Sequence, residues 1–159
     1  MPRIEVATLI QAPIERCFWL ALNVEAHAVS TRHTGEQVVG GVQHGLLQLG
    51  DSVTFRARHF GVWQTLTSQI TALDAPRYFR DDMQRGAFRR MWHAHYFEPR
   101  GGATLMRDVF DYTSPLGWLG RVADKLVLER HLQRFLAQRG QVLKQLAETE
   151  AWQQFLPVA

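Results

Sequence analysis

A chain of 159 residues with formal charge +3 and seven histidines is long enough to bury a substantial core as one domain, 1–159, without cross-links. Its single cysteine excludes an intramolecular disulfide, and the interspersed acidic residues argue against a nucleic-acid surface. No uncharged apolar run approaches the ~18 residues of a spanning helix, and MPRIEVATLI lacks the pattern of a signal peptide, so a cytoplasmic protein is expected.

Arg3 to Gln11 is rich in Ile, Val, Thr and Leu and reads as a strand, after which Pro13 presets φ for a helix. Ile14, Phe18, Ala21 and Leu22 recur at helical spacing. Asn23 can end that helix and N-cap a second, Val24 to Val29. Cys17 lies among core-type residues, as an inert buried thiol would. The glycine-rich segment from Thr34 to Gly50 predicts a short strand near Gln37 to Val39 and a flexible crossing. It lacks the Gly-Lys-Ser or Gly-Lys-Thr ending of a phosphate loop.

The period then changes to two. Val53, Phe55, Ala57 and His59 share one strand face; Gln64 to Leu73 offers Leu66, Ser68 and Ile70, and Arg77 to Gln84 offers Phe79, Asp81 and Met83. Phe88 to Glu98 and Thr104 to Tyr112, joined by PRGG, complete a strongly twisted antiparallel meander. In the last third, Leu119, Val122, Ala123 and Leu126 fall on one side of a helix. Leu128, Leu132, Phe135, Val142, Leu143 and Leu146 fall nearly opposite. This change of phase predicts a short helix, Leu116 to Val127, and a long one, Leu128 to Ala147, separated by a kink or a turn. Arg121, Lys125, Arg130, Arg134, Arg139 and Lys144 read as a solvated face broken by Asp124, Glu129 and Glu148. The fold class is α+β: a curved antiparallel sheet around a long C-terminal helix, with two short helices after the first strand.

Alternation puts His93 and His95 on one face of a strand and Asp108 on the same face of the next, a face that is otherwise apolar. Burying these groups unpaired costs several kcal/mol, so they must be paired, solvated in a cavity, or bound to something. Pairing Glu98 with Ala103 sets His95 opposite Met106 and His93 opposite Asp108. A three-residue turn of Arg85, Gly86 and Ala87 sets Phe79 opposite His93 and Asp81 opposite Met91. His59 points toward the same space. A slip of one residue would turn any of these sets outward, so parity is the assumption that matters.

Four readings compete for the cluster: a structural polar network, groups that orient the polar end of an apolar guest, general acid/base chemistry, and metal binding. No metal and no cofactor is expected, because nothing further in the sequence fixes an open coordination position. Phe55, Met106, Phe110 and Phe135 are core residues that become cavity walls if the space between sheet and helix is not filled. Phe79 and Met83 join them from the neighbouring strand. Trp63 and Trp118 are packing residues or flank the mouth of a cavity, where an exposed pair would point to transient membrane contact.

Several strings resemble a known family. IQAPIERCFWLAL is similar to the I-x-A-P-x-E-x-x-F opening of bacterial members of the START/Bet v 1-like helix-grip superfamily (SRPBCC). GLLQLGDSVTFRARHFG, FRDDMQRGAF, WHAHYFEP and MRDVFDYTSPLGWLG resemble, in that order, further blocks of its polyketide cyclase/dehydrase-like subgroup. The resemblance spans about Glu5 to Glu148. It implies a small hydrophobic, lipid-like or aromatic ligand held between the sheet and the long helix, and does not imply one reaction. A binding protein is therefore expected; a cyclase or dehydratase using His93 or His95 as proton shuttle, oriented by Asp108, is the alternative.

Overall fold

The computed structural model describes residues 2–158, apart from the side chains at 120 and 124, and its strands form one seven-stranded antiparallel sheet. β1 (Arg3–Ile10) is followed by α1 (Ile14–Leu22) and α2 (Val24–Ser30). Then come β2 (Gln37–Gly41), β3 (Ser52–His59), β4 (Val62–Asp74), β5 (Tyr78–Arg85), β6 (Arg90–Arg100) and β7 (Ala103–Thr113). The spatial order β1-β7-β6-β5-β4-β3-β2 makes β2 to β7 a meander, with β1 returning beside β7. α3 (Gly117–Ala123), a π-helical turn (Asp124–Leu128) and α4 (Glu129–Glu148) end the chain's main elements. Among the described residues no helix is long and apolar enough to cross a membrane.

Asn23 plays both expected parts: its backbone N–H donates to the Leu20 carbonyl where α1 ends, and its side chain accepts from the Ala26 N–H at 2.8 Å, capping α2. Its Nδ2 also donates to the Phe155 carbonyl and ties down the C-terminal turn. Cys17 is buried, and burial pushes its thiol up, as an inert packing residue requires. Across the other side, α4 lies close on β1 because Gly140 has no side chain. A Cβ there would come within 2.6 Å of Thr8 Oγ1.

The expected break in the last third is not a turn. The backbone at Leu128 stays helical (φ −68, ψ −42), and the π-helical turn before it adds a residue per turn, which rotates the side-chain phase without ending the helix. This accounts for the two opposed apolar stripes. Only the second is buried: Leu132, Leu136 and Leu143 are core, whereas Leu119, Val122 and Leu126 are exposed.

Both expected registers are corrected by two residues. β6 and β7 pair Arg100 with Ala103, so only Gly101 and Gly102 turn, with Gly101 at φ 64. Pro99 stays in the strand opposite Thr104. In an antiparallel ladder hydrogen-bonded and non-bonded pairs alternate. The position next to the turn-flanking pair is non-bonded, so proline's missing N–H costs no ladder bond there. His95 thus faces Asp108, His93 faces Phe110, and Met106 faces Phe97. Between β5 and β6 the pairs are Phe79 with His95 and Asp81 with His93, and pairing ends at Asp82 with Trp92, so the link is longer than three residues. A shift of two preserves parity, and every side chain stays on its expected face.

Two apolar clusters fill the inner face. One gathers Phe18, Phe79, Phe97, Met106 and Leu143; the other gathers Ile4, Met91, Phe110, Tyr112, Leu132 and Leu136. Phe18 meets Phe79 and Phe97 edge-on at centroid distances of 5.6 and 5.4 Å, a favoured aromatic geometry.

Candidate functional site

Between the two clusters a polar belt crosses the sheet diagonally, with Asp108 paired with His95 and, one inward position on, His93 paired with Asp81. On β5, Asp81 follows Phe79 of the first cluster and precedes Met83, which packs on the second. On β6, His93 and His95 separate Met91 from Phe97. On β7, Asp108 separates Met106 from Phe110, and on α4 Arg139 separates Leu136 from Leu143. Ser68 on β4, paired with Met83, completes the belt through its hydroxyl contact to Asp81. Period-two strands and a 3.6-period helix therefore bring one polar layer together from five elements.

Asp108 is fully buried and anchors the belt. Its Oδ1 lies 2.7 Å from His95 Nδ1, 3.3 Å from His93 Nε2 and 3.5 Å from Arg139 Nη1. The two imidazole nitrogens are angled off the hydrogen-bond line, leaving both, and Asp108 Oδ2, without a hydrogen-bond partner. His95 turns its other nitrogen, Nε2, to Asp81 Oδ2 at 3.4 Å. The Ser68 hydroxyl donates to Asp81 Oδ1. The Phe79 ring stacks on His95 at 4.1 Å, fixing that imidazole's plane.

These contacts set the charges. Burial alone would raise both carboxyls. Contacts with His95, the charge of His93 and the Ser68 hydroxyl instead bring Asp81 down to about 2, and the two histidines with Arg139 hold Asp108 well below the usual range. Burial, then the neighbouring charge of His95, pushes His93 down to about 4 against the pull of the carboxylates. At pH 7 Asp81 and Asp108 are ionised and His93 is neutral.

Asp81, His93 and His95 form part of the wall of a cavity of about 470 Å³ between sheet and helix. Most of its other walls are apolar, including Val53, Phe55, Leu66, Phe110, Leu132 and Phe135. It is open where Phe60, Leu116 and Val127 line it while remaining exposed. Phe60 sits in the left-handed region (φ 52), a strained conformation for a bulky residue, in the two-residue turn between β3 and β4. Its ring is 4.4 Å from that of His131.

Of the expected site residues, Phe55, His59, Phe79, Asp81, His93, His95, Phe110 and Phe135 line this cavity. Asp108 sits behind the histidines rather than on the wall. Met106 is fully buried in the first cluster, and Met83 packs against the second; neither lines the cavity. Trp63 stacks under the Arg56 guanidinium at 4.9 Å, away from the lining.

Arg139 requires a correction. It is 2% exposed, on the core stripe of α4, and not on a solvated face. Its spacing from Leu132, Leu136 and Leu143 carried that signal, obscured by its charge. A second polar group on the cavity wall had no sequence signal beyond His59. Glu36 pairs with His27 at 2.8 Å and accepts from the Thr31 hydroxyl at 2.8 Å. Burial would raise Glu36, but His27, Thr31 and the charge of Arg139 keep it low. His59 Nδ1 meets His131 Nε2 at 2.9 Å, and burial pushes both histidines down.

No family model and no curated protein matches the chain. Solved structures do. A protein of Thermus thermophilus superposes with a TM-score of 0.75 at 19% identity, over 91% of this chain and 95% of that one. The major latex-like protein 151 of Panax ginseng gives 0.67 at 14% identity, over 93% and 98%. A START superfamily protein of Mycobacterium smegmatis gives 0.63 at 16%, over 89% and 98%. At these identities the likeness establishes the fold.

Proposed function

We propose that this chain, which has the helix-grip fold of the START and Bet v 1 proteins, is a binding protein for one small, largely apolar molecule. The guest lies between the sheet and α4 with its polar end at Asp81, His93 and His95. The observation that carries this reading is the position of the belt: in a cavity of about 470 Å³ with mostly apolar walls, Asp81, His93 and His95 are grouped together, with His27, Glu36, His59 and His131 as a second polar group on the lining. That is the composition of small-molecule sites, in which apolar area supplies affinity and a few polar atoms supply orientation.

The exposed apolar residues near the mouth support a route of entry. Phe60, Leu116 and Val127 belong both to the lining and to the surface, and Trp118 and Leu119 extend the patch along α3 beside Arg121. An exposed apolar patch with basic residues suits transient contact with an anionic membrane, from which a lipid-like guest could pass. Exchange with vesicles tests this: Trp118→Ser with Leu119→Ser should slow transfer of a lipophilic dye from anionic vesicles and leave its affinity in solution unchanged.

A specific geometry favours a second reading, proton transfer of the cyclase or dehydratase kind. His95 has Asp108 at Nδ1 and the cavity-wall carboxylate of Asp81 at Nε2, an arrangement in which a proton passes between the imidazole and Asp81, a carboxylate that lines the cavity. Extracting the purified protein and identifying any bound molecule by native mass spectrometry separates the two. A binder returns its guest unchanged. An enzyme converts it, and His95→Gln abolishes turnover with affinity retained.

A further inference from the structure

We propose that Asp81, His93 and His95 form a site for one first-row divalent transition ion, of the zinc or ferrous class, facing the cavity. One ligating atom from each residue lies within 4.8 Å of the other two. The spacing between His95 Nε2 and Asp81 Oδ2, 3.4 Å, exceeds the ~2.7–2.9 Å of a charge-assisted hydrogen bond. It matches the edge of a tetrahedron with metal–ligand bonds of about 2.0–2.1 Å, which is about 3.3–3.4 Å.

The surroundings are those of a ligand set rather than of a self-sufficient ion-pair network. Ser68 holds Asp81 Oδ1, leaving Oδ2 toward the histidine. Asp108 Oδ1 lies 2.7 Å from His95 Nδ1, the position of the carboxylate behind a metal-bound histidine, and Nε2 is the nitrogen on the Asp81 side. Phe79 stacks on the same ring and limits its rotation. His93 Nε2, His95 Nδ1 and Asp108 Oδ2 are buried without a hydrogen-bond partner, which a self-sufficient network would not leave. Two histidines and one carboxylate select a borderline transition metal over calcium or magnesium, and three protein ligands leave positions open toward the cavity.

The inference deepens the reading of the cavity, and rests on it for what the ion does: its open positions take an oxygen of the guest, such as a carboxylate or enolate. The ion itself is tested without any guest, so the two ideas fail separately. Full-length protein stripped with a chelator is titrated with Co²⁺, read by visible d–d absorption, and then displaced with Zn²⁺. One equivalent should bind. Asp108→Asn should weaken binding about 10–100-fold, and Asp81→Asn at least as much, with circular dichroism confirming that both remain folded. Ser68→Ala is the milder variant should either unfold, and it too should weaken binding. His44→Ala, at an exposed histidine, should change nothing. No Co²⁺ uptake, equal uptake by wild type and Asp81→Asn, or uptake abolished by His44→Ala would overturn the site.

Discussion

Two groups of histidines face the same cavity and are built differently. His93 and His95 sit deep, between two carboxylates and a buried arginine. His59 and His131 sit nearer the open side, where the nitrogens of two imidazoles face each other at 2.9 Å without a carboxylate in hydrogen-bond contact. In the deep group the histidines and Arg139 hold the carboxylates ionised, while burial pushes His93 down to about 4. In the outer group burial and like charge favour the neutral rings, with the charge of Glu36 pulling His59 the other way. The difference teaches that one residue type serves within an ion-pair network in one place and as a pair of facing neutral rings in another, depending on what stands behind it.

Breaking the deep group should have the largest effect. Arg139→Ala leaves Asp108 without its guanidinium in a buried setting and should destabilise the fold by about 3–5 kcal/mol in urea unfolding. The double variant Arg139→Met with Asp108→Leu should recover much of that loss, because removing both charges removes the desolvation cost with them. If the double variant is no better than Arg139→Ala, the arginine acts through packing rather than charge.

Acid should sharpen the contrast. His93 has a pKa of about 4 in the folded chain against an ordinary value of 6.5. Between these values the unfolded chain binds a proton that the folded chain does not, so stability falls as pH drops from 6.5 to 4. The shift amounts to a few kcal/mol by order of magnitude. Asp81 and Asp108 add a second loss below pH 3.8, as the pH falls toward the depressed Asp81 value of about 2. His93→Gln should flatten the first phase measured by denaturant titration. His131→Gln, on a partly exposed ring also shifted down, should flatten it less. An equal effect of the two variants would erase the distinction between the groups. The smallest effect belongs to the surface: Trp118→Ser, at a position 67% exposed, should change stability by no more than about 0.5 kcal/mol.

Much of this arrangement is legible in the sequence. Strand parity placed Asp81, His93, His95 and Asp108 on one face because a period of two is robust to register errors of two. The registers themselves were not legible: PRGG reads as a four-residue turn, yet Pro99 fits a non-bonded ladder position and only the glycines bend. That detail sets Asp81 opposite His93 and His95 opposite Asp108. Arg139 was hidden by its charge, although its spacing from Leu132 and Leu136 placed it on the core stripe. His27, Glu36 and His131 carry no local pattern at all. They come from α2, the loop before β2, and α4, and only the tertiary fold joins two of them, His27 and Glu36, in a salt bridge and brings His131 to His59.

The central claim is that the space between sheet and helix holds a guest. A neutral environment-sensitive dye such as Nile red, titrated into wild type and Ala57→Trp, tests it directly, because Ala57 is a buried wall residue and indole would occupy the cavity. The account predicts saturable binding of one dye per chain to wild type and its loss in a folded Ala57→Trp variant. Binding that does not saturate, or that survives the filled cavity, would contradict it.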